Sequence, residues 1–209
     1  VRAEVRHAER DIACRTLGLD PARPVLLITG GSQGAHGVNQ LALAAVPELA
    51  RRHPRLQLVH LTGKADFPGV TEAYRRAGLP ALIQPFLQRM DLALAAATVA
   101  VARSGASSLA ELAARRLPAV LIPYPQAADD HQRANADEFV RAGAAQRLDQ
   151  TVADGAALVE VLDGMLSDDA RRGQMVQALA TLDTPEAARD IAERIWRDRK
   201  STRLSSSHA

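Results

Sequence analysis

The sequence predicts a doubly wound, Rossmann-like α/β domain on a parallel sheet. Six short apolar runs alternate with stretches of helical spacing. Two of those runs end in glycine-serine turns that open helices. Hydrophobic residues make up 47% of the 209, enough for a core covered on both faces of a sheet. Unbroken apolar strands flanked by helices mark a parallel sheet buried on both sides. Right-handed crossovers then place ligands at the carboxyl ends of the strands, beside the point where strand order reverses.

The strands are expected at Val25–Thr29, Leu56–Leu61, Ala81–Gln84, Thr98–Ala102, Ala119–Ile122 and Ala144–Leu148. Each is a short apolar run without an internal break. The helices between them are expected at Gly34–Arg51, Asp66–Ala77, Met90–Ala96, Ser107–Arg115 and His131–Arg141. From Thr151 to Trp196 the pattern is purely helical. Val152–Leu166 carries apolar residues at helical spacing, and Pro185 opens a last helix with Ile191, Ile195 and Trp196. A 3-2-1-4-5-6 strand order would set the two glycine-serine turns on either side of the switch point.

Residues 197–209 are polar and aperiodic and read as disordered. Residues 199–208 resemble translated vector or adapter sequence. This tail holds Arg197, Arg199, Lys200 and Arg203 against Asp198, which leaves the rest of the chain at a net charge of −1. Nucleic-acid binding therefore has little support. One cysteine, Cys14, excludes an intramolecular disulfide and suits a reducing compartment. No apolar run approaches a membrane span, and no signal peptide is visible. The chain begins at Val1 without Met and reads as a fragment or processed piece.

The turns are Gly30-Gly31-Ser32-Gln33-Gly34 and Arg103-Ser104-Gly105-Ala106-Ser107-Ser108. Helix N-termini present unpaired N–H groups and a positive dipole end, and glycine admits close approach of a phosphate. Two such turns point to a ligand with phosphates. Either alone is equally at home in simple packing. Glu111 has two readings: a ribose-binding carboxylate, or the acid of a capping box, Ser108-Leu109-Ala110-Glu111. Gln132 and Asn135 share a helix face and suit the hydroxyl and acetamido groups of a sugar. Their alternative is a polar surface helix capped by Asp129 or Asp130. Asp129-Asp130-His131 is a poor metal site, because adjacent side chains rarely converge on one ion. His36, His53 and His60 are expected in surface or capping roles. There is no nucleophile elbow, Walker lysine, catalytic carboxylate pair or good dinucleotide fingerprint.

Together these segments resemble the C-terminal half of the MurG family, bacterial transferases that add N-acetylglucosamine to lipid I to make lipid II. The match runs through Thr29-Gly-Gly-Ser-Gln-Gly-Ala35 with Asn39, Pro85-Phe86-Leu87 with Met90, and Arg103-Ser-Gly-Ala106 with Glu111. It continues through Leu117–Pro123 and Asp130–Ala136 to Phe139 and Ala142-Gly143-Ala144. The resemblance covers about Val1 to Trp196. It implies a GT-B fold of two Rossmann-like domains, with residues 1–196 as the domain for the donor, UDP-N-acetylglucosamine.

By resemblance, Ser32 and the N–H groups of Ala106, Ser107 and Ser108 would meet the diphosphate. Backbone around Leu87 would pair with uracil, with Arg2 nearby. Glu111 would hold the ribose hydroxyls, and Gln132 and Asn135 the sugar. No metal or other cofactor is implied. The family's N-terminal domain, with its proposed catalytic histidine and membrane-facing groove for lipid I, has no counterpart in this sequence. The fragment alone is therefore expected to be inactive. The intact enzyme is expected to be an inverting hexosyltransferase, peripheral on the cytoplasmic face of the plasma membrane. Rival readings are a related transferase with another UDP-sugar or acceptor, a UDP-sugar epimerase, or a non-catalytic nucleotide-sugar module.

Overall fold

The computed structural model describes residues 1–31, 35–127 and 130–185. The helix expected to open at Pro185 and run through Trp196 lies outside them beyond Pro185, as does the tail. Six strands form one parallel sheet: β1 (Val25–Thr29), β2 (Gln57–Leu61), β3 (Leu82–Gln84), β4 (Val99–Ala102), β5 (Ala119–Leu121) and β6 (Ala145–Arg147). Their order is β3-β2-β1-β4-β5-β6, the order in which the two glycine-serine turns flank the switch point. Register is fixed at the centre, where Leu26 to Thr29 pair with Val99 to Ala102.

Alternation within β1 divides the core. Val25 and Leu27 point into one cluster, with α1 (Ala3–His7), α2 (Arg10–Thr16), α5 (Met90–Ala96), α6 (Ala106–Arg115) and α9 (Asp169–Leu182). Leu26 and Ile28 point into the other, with α3 (His36–Arg52), α4 (Phe67–Arg76) and α8 (Gly155–Ser167). The remaining helix, α7 (His131–Arg141), seats Ala136 and Phe139 in the first cluster. Burial of both sheet faces is what the unbroken apolar strands require.

Local chemistry moved some helix bounds. α8 starts at Gly155 because Asp154 caps it, accepting the Ala157 N–H at 2.9 Å. Val152, expected inside that helix, sits in the preceding turn and is 83% exposed. The helical stretch then breaks at Asp168, whose carboxylate accepts the Arg171 N–H at 2.9 Å and starts α9. The short helices α1 and α2 have too few turns for a clear periodic signal. Arg10 of α2 donates to the carbonyls of Pro21 and Arg23, in the loop that leads into β1.

The histidines divide differently from the expectation. His36 is exposed beside Asp66, and His53 forms the C-cap of α3 while bonding Asp163 at 2.7 Å. His60 is instead fully buried on β2. Its Nε2 lies 3.0 Å from Asn39 Oδ1 and its Nδ1 lies 3.1 Å from the Tyr74 hydroxyl. Asn39 donates in turn to the Thr62 carbonyl at 2.9 Å and to Asp66 at 2.7 Å. A core polar group this fully bonded ties β2 to α3 and α4.

Burial pushes the His60 pKa down to about 4. The unfolded chain binds a proton at His60 near the ordinary value of 6.5, and the folded chain resists it. Stability linked to this group is complete above the unfolded value and is lost as pH falls through that window. Urea titrations at about pH 6.5 and about pH 5 should show a loss of about 1.5 kcal/mol that disappears in His60→Gln. Equal pH dependence in both proteins would contradict a buried neutral imidazole.

Candidate functional site

β1 and β4 are central neighbours, and the chain runs outward from them in opposite directions. That is the switch point at which a crevice opens. The turns after these two strands lead into α3 and α6. Gly31 has φ +86°, a conformation that glycine supplies at little cost. Ser32, with Gln33 and Gly34, lies outside the described residues, so its expected diphosphate contact has no structural description.

Gly105 occupies the N-cap of α6, with no side-chain cap. The first bond of the turn runs from the Leu109 N–H to the Gly105 carbonyl at 3.0 Å. The N–H groups of Ala106, Ser107 and Ser108 thus precede the first helical bond and stay available. This rules out the capping-box alternative. Ser108 is the third residue of the helix, and Glu111 lies a turn further on. α3 is likewise uncapped at Ala35.

Two adjoining cavities share Gly31 and Ser108. The narrower, about 200 Å³, is mainly apolar and is lined by Arg2, Phe86, Leu87, Met90 and Leu112 among others. The wider, about 940 Å³, is lined by Gly30, His36, Gly37, Arg103, Ser107, Tyr124, Gln132 and Gln150 among others. Arg2 Nη2 and Glu111 Oε1 stand 3.9 Å apart; Arg2 lines the apolar pocket, and Glu111 is among the lining residues of neither cavity. Burial pushes the Glu111 carboxyl above its usual range, and Arg2 partly opposes that.

The predicted sugar contacts fare unequally. Gln132 reaches the wider cavity, and its Oε1 accepts the Tyr124 N–H at 3.0 Å. Asn135 donates to the Ser104 carbonyl at 3.2 Å, which ties α7 to the β4 turn. Ser104 returns the link by donating its hydroxyl to the Gln132 carbonyl at 2.7 Å. Asp130 stands at the α7 N-cap with φ 52°, but its side chain does not cap. It pairs with Arg133 at 3.4 Å. Asp129 lies outside the described residues.

Sequence reasoning gave Arg103 no role of its own. It is only 7% exposed. Its Nη1 donates to the Ile122 and Pro123 carbonyls at 2.9 and 3.0 Å, and Nη2 donates to Gln150 Oε1 at 2.6 Å. The guanidinium also stacks 5.4 Å from the centre of the Tyr124 ring. Gln150 lies so close to α3 that a Cβ on Gly37 would fall 2.2 Å from its Cδ. Burial lowers the Arg103 pKa, but an arginine remains charged. Among the described residues no carboxylate pairs with it. An uncompensated cation thus lines the cavity onto which two uncapped helix N-termini open. The available signal was an arginine directly after the apolar run Val99–Ala102, at a strand end expected to be buried.

Arg103→Met would leave two buried carbonyls and the half-buried Gln150 amide oxygen without their donor. It should cost about 2–4 kcal/mol in urea unfolding. A change below about 0.5 kcal/mol, the usual range for an unengaged surface position, would contradict this assignment.

Comparison with known proteins places these features in a family. The glycosyltransferase family 28 C-terminal domain matches residues 25–195. A UDP-N-acetylglucosamine--N-acetylmuramyl-(pentapeptide) pyrophosphoryl-undecaprenol N-acetylglucosamine transferase of Anaeromyxobacter sp. (strain Fw109-5) is 39% identical over 171 residues, covering 82% of this chain and 45% of that protein. The transferase of the same name from Symbiobacterium thermophilum is 39% identical over 195 residues, covering 93% of this chain and 52% of that protein. The crystal structure of Acinetobacter baumannii MurG superposes with a TM-score of 0.76 at 24% identity, covering 94% of this chain and 55% of that one. That likeness concerns the fold, the Rossmann-like architecture of GT-B glycosyltransferases. The chain spans about half the length of the curated relatives it matches. It belongs to the glycosyltransferase family 28 C-terminal domains.

Proposed function

We propose that this chain is the donor-binding half of an inverting transferase that moves N-acetylglucosamine from UDP-N-acetylglucosamine to lipid I, forming lipid II for peptidoglycan. One observation carries the reading. An uncompensated Arg103 and the start of α6 at Ser107 and Ser108, with its free N–H groups, lie in one cleft, and that cleft continues into an apolar pocket. Such a cleft suits a ligand with a flat apolar base at one end and a diphosphate in the middle.

Uracil would lie against Phe86 and Met90 and pair with the Leu87 backbone, with Arg2 at its edge. Glu111 would accept the ribose hydroxyls. Ser32 and the N–H groups of Ala106, Ser107 and Ser108 would hold the diphosphate, and Gln132 and Asn135 the sugar. Gln132 keeps its Nε2 as a donor, because its Oε1 is engaged by Tyr124. In the complete enzyme the acceptor hydroxyl attacks the anomeric carbon while UDP departs. The negative charge on the departing diphosphate falls on fixed N–H dipoles and the Arg103 field, so no bound metal is required. The acceptor site, the base and the contact with the cytoplasmic face of the membrane would come from the other half. The names of the 39%-identical relatives support this transferase over an epimerase or another acceptor.

Titration calorimetry with UDP and UDP-N-acetylglucosamine should show binding by the chain alone, unaffected by chelator. A radiolabelled assay should show no lipid II. Glu111→Gln should weaken UDP by about tenfold, the scale of a charge-assisted hydrogen bond, with little change in melting temperature. Lipid II synthesis by the chain alone, or UDP affinity unchanged by Glu111→Gln, would contradict these assignments.

A further inference from the structure

The proposed contacts leave a histidine in the wider cavity unused. His36, the first residue of α3, lines that cavity together with Arg103 and Ser107. Its Nδ1 lies 3.0 and 3.1 Å from the two carboxylate oxygens of Asp66. Asp66 is itself anchored, because Asn39 donates to it at 2.7 Å and Asn39 is buried against Thr62 and His60. The imidazole is therefore held by a carboxylate fastened to the core. Burial works to raise the Asp66 pKa, but hydrogen bonds from His36 and Asn39 outweigh it and hold the acid below its usual range. A carboxylate only accepts, so Nδ1 is the nitrogen that carries the hydrogen.

That leaves Nε2 as the nitrogen with two states. In the neutral ring it is a lone pair, which repels an anion. In the protonated ring it is a charged donor, which attracts one. The geometry points to His36 as a contact for the diphosphate of a nucleotide sugar that takes up a proton when the ligand binds. This rests on the nucleotide-sugar reading above and adds a residue and a proton to it.

The other charged groups near this position do not switch in the neutral range. Asp66, at the start of α4, is ionised. Arg103, at the end of β4, stays protonated. Lys64 shares the turn with Asp66. His60 lies buried behind Asn39 and is held neutral, with its pKa pushed down to about 4. Anion binding favours the protonated ring. Affinity should therefore be higher at low pH than at high pH.

UDP-N-acetylglucosamine is the probe of choice, because its doubly esterified diphosphate does not titrate near neutrality, whereas the terminal phosphate of UDP does. Calorimetry in buffers of different ionisation enthalpy counts the protons taken up on binding. The unaltered chain should take up a measurable fraction of a proton near neutral pH. It should lose about three- to tenfold in affinity between about pH 6 and about pH 8.5. His36→Gln should take up none and bind weakly at both pH values. His36→Arg should take up none and bind tightly at both. A purely structural His36–Asp66 pair would weaken both variants alike and give no proton uptake in the parent. Binding without uptake, or uptake that persists in His36→Gln, overturns this inference while the nucleotide-sugar reading stands. No binding at any pH overturns both.

Discussion

The cleft depends on how one buried cation is satisfied. Arg103 follows β4, and its guanidinium holds the carbonyls that follow β5. It also grips Gln150, which follows β6 and presses on Gly37 at the start of α3. The carboxyl ends of β4, β5 and β6 are thereby fixed relative to the helix that follows β1. Fork geometry suits arginine here, because a lysine could not meet three acceptors and a ring in one plane. The loop after β5 is held a second time, since Gln132 accepts the Tyr124 N–H.

The same arrangement sets the electrostatics. Most buried cations in proteins face a carboxylate, which cancels their field. Arg103 is met by neutral dipoles and an aromatic face, so its charge stays available to the cavity. Two helix N-termini without side-chain caps add positive potential of the same sense. A capped helix would be locally more stable. Absent caps are general here, since α1, α2, α4, α5 and α7 also lack a capping side chain, so it is their place at the switch point that sets these two apart.

Most of the architecture could be read from pattern alone. Six strands and their parallel pairing follow from apolar runs flanked by helices, while the strand order that sets the turns after β1 and β4 at the switch point comes from the structure. β1, α5 and α7 match their expected bounds. What pattern misses is side-chain pairing across distant segments. Arg103 and Gln150 lie 47 residues apart, and nothing in either neighbourhood names the other. His60 looked like one scattered histidine among three until Asn39 and Tyr74 closed around it. Ser108 and Glu111 have capping-box spacing, yet the helix begins two residues earlier, at Ala106, and the box does not form. The resemblance contributed a different kind of information, since it named roles for Leu87 and Arg2 that no spacing argument reaches. Those two residues do line the apolar pocket.

The central claim is that one cleft, between the carboxyl ends of β1 and β4, holds the whole nucleotide sugar. A crystal structure of the chain with UDP-N-acetylglucosamine tests it most directly. The account predicts uracil in the pocket beside Leu87 and Arg2, the diphosphate within hydrogen-bond reach of the Ser107 and Ser108 N–H groups, and the sugar toward Gln132. A ligand bound at the amino ends of the strands, or one whose diphosphate lies away from the start of α6, would contradict it.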